Sequence, residues 1–265
     1  MHRDRANPAT PPRRRRGQCT RHQGEGRLPG GGQAASQPLD NVGLASLRDR
    51  HDFEKMRRLL AFSLAPDSNC IDVGAHRGAV LTEMVRVAPN GNHIAFEPIP
   101  SLCDVLRVQF SGVEIHHAAL SDHAGEADFA HVKGIAEGWS GLRFRPLPTG
   151  EEADVENITV PLEVLDDALD PDYRPAVIKV DVEGAEQEVF RGALKTLRRH
   201  RPIVIFEHGV GSADVYGTSP DDIHALLTEE VDYRVFDLDG NGPYTLDEFK
   251  RTYYACERVN FVAHP

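Results

Sequence analysis

Apolar positions along this chain switch repeatedly between a helical and an extended spacing, and the switches divide it into alternating elements. Over residues 47–64, Leu47, Phe53, Met56, Leu59, Leu60 and Leu64 recur near the helical period and predict a helix that ends ahead of Pro66. Short apolar runs follow, each closed by a polar or glycine-containing turn. They predict strands over 69–74, 93–96, 113–118, 177–180 and 203–207. Helices are predicted over 77–88, stopped by Pro89-Asn90-Gly91, and over 100–110, 184–200 and 220–230. Two closing strands are predicted over 233–238 and 259–263. The runs Cys70-Ile71, Ile178-Lys179-Val180 and Ile203-Val204-Ile205-Phe206 are nearly continuous, as strands buried on both faces are. Strands alternating with helices predict an α/β fold, a doubly wound and mostly parallel sheet. No repeat period is visible.

Residues 125–165 break this rhythm. Strand-like runs at 127–132 and 158–165 flank a Gly-, Pro- and Glu-rich stretch containing Trp139. A connection of that length predicts a long insertion or lid.

Composition adds a boundary. Residues 1–45 hold eight arginines, many Gly and Pro and few apolar side chains, which predicts a disordered tail ahead of a domain over 46–265. The run Arg13-Arg14-Arg15-Arg16 is read as solvated rather than as a grip on nucleic acid or an anionic membrane. Without the tail, 22 basic face 38 acidic side chains, a net charge of −16 against −11 for the whole chain. A body that acidic is a poor match for phosphate backbones, so no nucleic-acid partner is expected. No apolar stretch approaches the length of a membrane span or follows the basic residues as in a signal peptide, so no membrane partner is expected. Cys19, Cys70, Cys103 and Cys256 lie far apart with no C-x-x-C pair, which argues against a zinc site or a disulfide framework. A cytoplasmic location is expected.

In doubly wound sheets the ligand sits beyond the carboxyl ends of the strands, at the switch point. Here those ends carry Asp72, Glu97, Ser121-Asp122, Asp181 with Glu183, and Glu207-His208. The first loop, Asp72-Val73-Gly74-Ala75-His76-Arg77-Gly78, differs from the dinucleotide pattern G-x-G-x-x-G by a carboxylate at its first glycine. A carboxylate there repels a diphosphate and welcomes an ammonium group. Gly74 allows close backbone approach and Gly78 tight helix packing. Glu97 at the second strand end suits a ribose diol.

Together Ile71–Gly78, Phe96-Glu97-Pro98, Ala118-Ala119-Leu120-Ser121-Asp122, the block Lys179-Val180-Asp181-Val182-Glu183-Gly184-Ala185-Glu186 with Arg191-Gly192, and Asn260-Phe261-Val262-Ala263 resemble the FkbM family of S-adenosylmethionine-dependent methyltransferases. The resemblance covers residues 68–265 and departs at His76, where the family often has Asn. It implies a Rossmann-like, seven-stranded methyltransferase sheet. It also implies methylation of a hydroxyl on a small or glycosylated metabolite, with S-adenosyl-L-methionine as cofactor. By the same resemblance Asp72, Gly74, Ala75 and Gly78 flank the methionine part, Glu97 holds the ribose and Ser121-Asp122 lie near the adenine. Asp181 and Glu183 face the reacting centre or orient the substrate.

A hydroxyl must lose its proton during transfer, and His208 is the candidate general base, oriented by Glu207 or Asp181. Two other functions are weighed. An NAD-linked oxidoreductase is disfavoured by Asp72. A calcium-binding module draws on Asp237-Leu238-Asp239-Gly240-Asn241-Gly242 with Glu248, which fits the EF-hand loop pattern. That loop follows the strand-like Tyr233-Arg234-Val235-Phe236 rather than a helix, so a turn is expected and no metal site is assigned.

Overall fold

The computed structural model describes residues 41–147 and 152–265, with side chains from Arg50 onward except that of Ile135. The arginine run and the rest of the predicted tail up to residue 40 lie outside the described residues, as do residues 148–151 of the predicted lid. Helix α1 (Asn41–Ser63) is already under way at Asn41, so the last five residues of the predicted tail are helical.

From there the chain alternates. Strand β1 (Asn69–Val73) leads to helix α2 (Ala79–Val87), β2 (Ile94–Phe96) to α3 (Pro100–Gln109), and β3 (Glu114–His116) to the short β4 (Ala119–Leu120). Next come β5 (Gly125–Val132), a 3-10 turn at Gly134–Trp139, β6 (Val155–Glu163) and the single-turn α4 (Leu165–Ala168). Strand β7 (Pro175–Val180) precedes α5 (Glu186–Arg191) and α6 (Leu194–His200). Strand β8 (Ile203–Glu207) precedes α7 (Ala213–Tyr216) and α8 (Pro220–Ala225), which runs on as a π turn to Glu230. Strand β9 (Arg234–Asp237), α9 (Leu246–Tyr254) and β10 (Asn260–His264) close the chain.

Seven strands form one sheet in the order β3-β2-β1-β7-β8-β10-β9, and β10 runs antiparallel to both its neighbours. The chain winds outward from β1 to β3, then restarts on the other side with β7. The switch point therefore falls between β1 and β7, whose pairing sets Asp72 opposite Lys179.

Side chains alternate across this sheet and supply a core on each face. Ile71, Val73, Ile178, Val180, Val204 and Phe206 pack toward Val189, Phe190, Leu197, Ile223 and Phe249. Cys70, Ala95, Val177 and Ile205 pack toward Met56, Leu60, Leu81, Met84 and Leu106. Full burial of each large side chain contributes about 1.5–3 kcal/mol, so both helical layers are held by the same strands.

The strand-like runs that flank the predicted insertion or lid are β5 and β6. Strands β4, β6 and β5 form a second, three-stranded sheet, with β5 and β6 antiparallel along their whole length. Phe129, Val160 and Leu162 bury one face of it against Ile99 and Leu102 of the α3 region. Among the described residues no helix is long and apolar enough to cross a membrane.

Candidate active site

A cleft of about 290 Å³ opens at the carboxyl ends of β1, β2 and β7. Its floor is the β1–α2 loop. Gly74 takes φ 74°, a left-handed conformation, and a β-carbon there would collide with the Asp181 carbonyl. The glycine thus lets the ends of β1 and β7 close on each other. Gly74 N and Ala75 N both donate to Phe96 O (3.0 and 3.1 Å), and His76 N donates to Glu97 Oε2 (2.7 Å). Those three amides, which a diphosphate-binding loop would offer its ligand, are already engaged.

Glu97 forms one end of the cleft. Its Oε1 accepts from Ile99 N (2.8 Å), and burial, only partly offset by its two amide bonds, pushes it up to about 7. Beside it an apolar slot is built from Phe96, Ile99, Ala118, Ala119, Leu120 and Phe129. Ser121 and Asp122 stop short of the lining. The Ser121 amide donates to Glu163 O (2.9 Å), and the Asp122 carboxylate is held by His123 at 2.7 Å.

Charged groups gather at the other end, past β7 and β8. Lys179 Nζ lies 3.3 Å from Asp181 Oδ2, 3.6 Å from Asp72 Oδ1 and 3.1 Å from Gly74 O. Burial opposes the charge on Lys179, but Asp181 and Asp72 outweigh it and hold the ammonium charged. Burial would also raise Asp181, yet Lys179 and a hydrogen bond from Glu207 keep it an anion. Glu207 is pushed well above the usual carboxylate range by burial and by the charges of Asp181 and Glu186. The charge is therefore favoured on Asp181 and the proton on Glu207.

Glu183 has φ 61°, unusual for a residue with a side chain, and its carboxylate pairs with Arg145. The Arg145 guanidinium stacks 3.8 Å from the centre of the Trp139 ring. The 3-10 turn at Gly134–Trp139 walls one side of the cleft. It is fastened by Glu137, which accepts from Arg77 at 2.6 Å and lies 3.5 Å from His76 and 3.4 Å from His131.

Gly74, Ala75, Glu97, Asp181 and Glu183 thus share one cleft, while Asp72, Gly78, Ser121, Asp122, Glu207 and His208 stay out of its lining. Two expectations, for Asp72 and His208, need correction. The Asp72 carboxylate is fully buried beneath α2, facing the Leu81 amide and Lys179, so it reaches the cleft only through Lys179. Burial pushes it above the usual carboxylate range, although Lys179 and the Leu81 amide pull the other way. Gly78 serves packing, as its place in the loop predicts: a β-carbon there would meet the Phe110 ring at 2.5 Å. His208 is fully buried with its ring between Phe249 and Tyr253, and burial drives it down to about 4. Strand alternation is the cause. Glu207 follows Ile205 toward the site, and His208 follows Phe206 to the opposite face.

Sequence reasoning assigned no role to Lys179, Arg145, Glu137 or Glu186. Lys179 did carry a signal, as the lone cation inside an apolar core run.

The calcium-like loop is entered from β9. Asp237 Oδ1 accepts from the Asp239 and Asn241 amides (both 2.9 Å), and its Oδ2 accepts from Asn241 Nδ2 and Tyr244 Oη. Asp239 pairs with Lys55 and Arg258, and Glu248 caps α9 through Thr245. The loop carboxylates are spent on protein donors. Among the described residues no set of three His, Cys, Asp or Glu side chains converges as metal ligands.

Comparison with known proteins gives a consistent picture. Residues 72–235 match the model of the methyltransferase FkbM domain. The chain is 26% identical over 190 residues to the hexuronic acid methyltransferase AglP of Haloferax volcanii, covering 69% of this chain and 71% of that protein. It is 26% identical over 158 residues to the 2-O-methyltransferase NoeI of Sinorhizobium fredii, covering 55% of this chain and 65% of NoeI. Among solved structures, the methyltransferase FkbM of Methylobacillus flagellatus KT aligns with a TM-score of 0.47 at 15% identity, over 85% of this chain and 61% of that one.

Proposed function

Because this chain belongs to the FkbM methyltransferase family, we propose that it transfers a methyl group from S-adenosylmethionine to a hydroxyl of a small or glycosylated metabolite, with Asp181 receiving the hydroxyl proton. One observation carries the reading: the cleft is acidic at both ends, apolar between them, and leaves its loop amides engaged. Glu97 suits a ribose diol, the slot lined by Ile99, Leu120 and Phe129 suits an adenine, and Asp181 with Glu183 suits the cationic half of the cofactor. A dinucleotide fits the same cleft poorly, because its diphosphate would find neither free amides nor a helix N-terminus clear of Asp72.

When bound, S-adenosylmethionine supplies a methyl group already activated by a positive sulfur. The chain then has two tasks. The first is alignment of the acceptor oxygen, which contributes about 7–11 kcal/mol in well-oriented systems. The second is removal of one proton as the new C–O bond forms. Asp181 lines the cleft with its ionised form favoured by Lys179, and Glu207, on which the proton is favoured, bonds to it from behind and keeps its carboxylate oriented. Lys179 balances the charge on Asp181 until the proton arrives. The wall formed by Gly134–Trp139, with Ser140 and Leu142, keeps bulk water from the aligned oxygen.

Calorimetric titration of the purified chain with S-adenosylhomocysteine and, separately, with NADH tests the reading. Micromolar binding of the first and none of the second is expected. Preference for NADH would replace this reading with the oxidoreductase one.

A further inference from the structure

Charges at the β7 end of the cleft are matched one for one by the chain itself. Lys179 faces Asp181, and Arg145 pairs with Glu183. The other carboxyls packed against that end favour their protons. Glu207 is pushed well above the usual carboxylate range, burial raises Asp72, and burial raises Glu186 to about 7. Arg77 is held by Glu137. Arg143 stands on the outer side. Its Nη1 donates to Val215 O (3.0 Å), its guanidinium lies over the Tyr216 ring, and among the described residues it pairs with no carboxylate.

A positive sulfur beside Asp181 and Glu183 therefore brings a third cation against two anions. Lys179 has no way out, because it is buried between Asp181, Asp72 and the Gly74 carbonyl. Arg145 has one. It reaches Glu183 from outside the cleft lining, and the neighbouring Phe144 is exposed to solvent. Burial already opposes the charge on Arg145, so a move into water recovers hydration. Glu207, Asp181, Glu186 and Tyr216 act on it from a distance, but its ion pair is with Glu183.

The backbone leading to Arg145 is fastened independently of that pair. Ser140 Oγ accepts from Val132 N (2.9 Å) and donates to Glu137 O (2.6 Å). Gly141 pairs with Ala130, and Arg143 N donates to Tyr216 Oη (2.9 Å). A change of charge at Glu183 leaves these bonds in place and confines movement to Arg145 and its immediate neighbours.

We propose that Arg145 is the chain's own substitute for the positive sulfur: it holds Glu183 in the unliganded protein and with S-adenosylhomocysteine, and leaves both Glu183 and the Trp139 ring when S-adenosylmethionine binds. The inference rests on the methyltransferase reading. It makes Arg145 a positioning residue that acts through Glu183. Donor and demethylated product differ by one methyl group and one charge, and this exchange of partners lets the protein tell them apart.

Trp139 is the single tryptophan of the chain, and the Arg145 guanidinium lies 3.8 Å from its ring centre, so its emission reports the exchange. The full chain is titrated at pH 6 with S-adenosylmethionine, with S-adenosylhomocysteine and with sinefungin, an analogue carrying a charged amine in place of the sulfonium. At saturation the two cationic ligands should shift Trp139 emission at least about threefold more than S-adenosylhomocysteine does. Calorimetry on the same samples gives the affinities. Arg145→Gln removes the competitor for Glu183, so preference for S-adenosylmethionine over S-adenosylhomocysteine should rise about tenfold, whereas Arg145→Lys keeps the charge and should stay within about threefold of the parent. A merely structural role would move all three ligands together. Equal emission shifts with the three ligands, or a preference unmoved in R145Q, would overturn the proposal, and the emission test decides by itself where R145Q does not fold. Failure of the parent to bind any of the three would instead defeat the reading beneath it.

Discussion

Asp181 and His208 stand at the ends of adjacent strands and differ in one respect that decides their roles. Asp181 lines the cleft and is held ionised by Lys179, whereas His208 is enclosed by Phe249 and Tyr253 on the far face. Replacing Asp181 with Asn removes the proton acceptor and preserves shape. Methyl transfer by D181N should fall by roughly 10²- to 10⁴-fold with S-adenosylmethionine at saturation. His208→Phe keeps an aromatic ring in an aromatic cage and should leave transfer within a few-fold of the parent. Single-turnover rates of the two variants check both outcomes, and a larger loss in H208F than in D181N would reverse the assignment. The residues themselves held the clue, because Ile205-Glu207 and Phe206-His208 belong to opposite sets of a two-residue period. Strand-end position brought both to notice, but only the side of the sheet tells them apart.

The 3-10 turn at Gly134–Trp139 is too short to be held by its own backbone bonds, and its hold comes from Glu137. Burial raises the cost of ionising Glu137, but His131 and Arg77 together with His76 outweigh it and keep the carboxylate below its usual range. The Arg77 side chain is 64% exposed, so the pair contributes at most about 1 kcal/mol to stability. Its larger effect is on the wall of the cleft. Glu137→Ala should speed dissociation of S-adenosylhomocysteine by about fivefold, with a change in stability below about 1 kcal/mol. Stopped-flow displacement and thermal unfolding measure the two quantities separately, and unchanged dissociation would show that the turn does not gate the ligand. The strands flanking this turn were visible in the sequence. Their pairing into a second sheet was not, since β5 joins to β6 across a connection whose composition is that of a loop.

The whole molecule should respond to pH from both sides. Burial raises Glu97 and Glu186 to about 7, above the ordinary 4.5. Each favours the protonated form in the fold, so its contribution is complete below about 4.5 and is lost as pH rises through about 7. His208 has the reverse sign. Its folded value of about 4 lies below the ordinary 6.5, so its contribution is complete above 6.5 and is lost as pH falls toward 4. Between pH 4.5 and 7 the two glutamates outweigh the one histidine, so unliganded protein should lose stability as pH rises from 6, and its Tm should drop several degrees by pH 8, since 1 kcal/mol moves a domain of this size by roughly 2–4 °C. Glu186→Gln keeps the acceptor for the Gly184 amide (3.1 Å) without the charge, and should lose less Tm than the parent between pH 6 and 8. Scanning calorimetry across that range decides, and a parallel fall in both proteins would remove Glu186 from the account.

Periodicity sufficed for the seven-stranded sheet because burial on both faces writes long apolar runs into β1, β7 and β8, and a run needs no partner to be recognised. It also sufficed to set Asp72, Glu97, Asp181 and Glu207 at strand ends, where the chain must turn and polar groups are tolerated. Which of those carboxylates meets the cleft depended on folding. Asp72 lies buried under α2, where Lys179 on the neighbouring strand and the Leu81 amide offset only part of the cost of burying its charge. Arg145 and Glu137 come from the three-stranded sheet and its turn, elements whose placement depends on pairings distant in the chain. Short-range pattern fixes what an element is, but the charge that each side chain meets is set by neighbours that only the assembled sheet brings together.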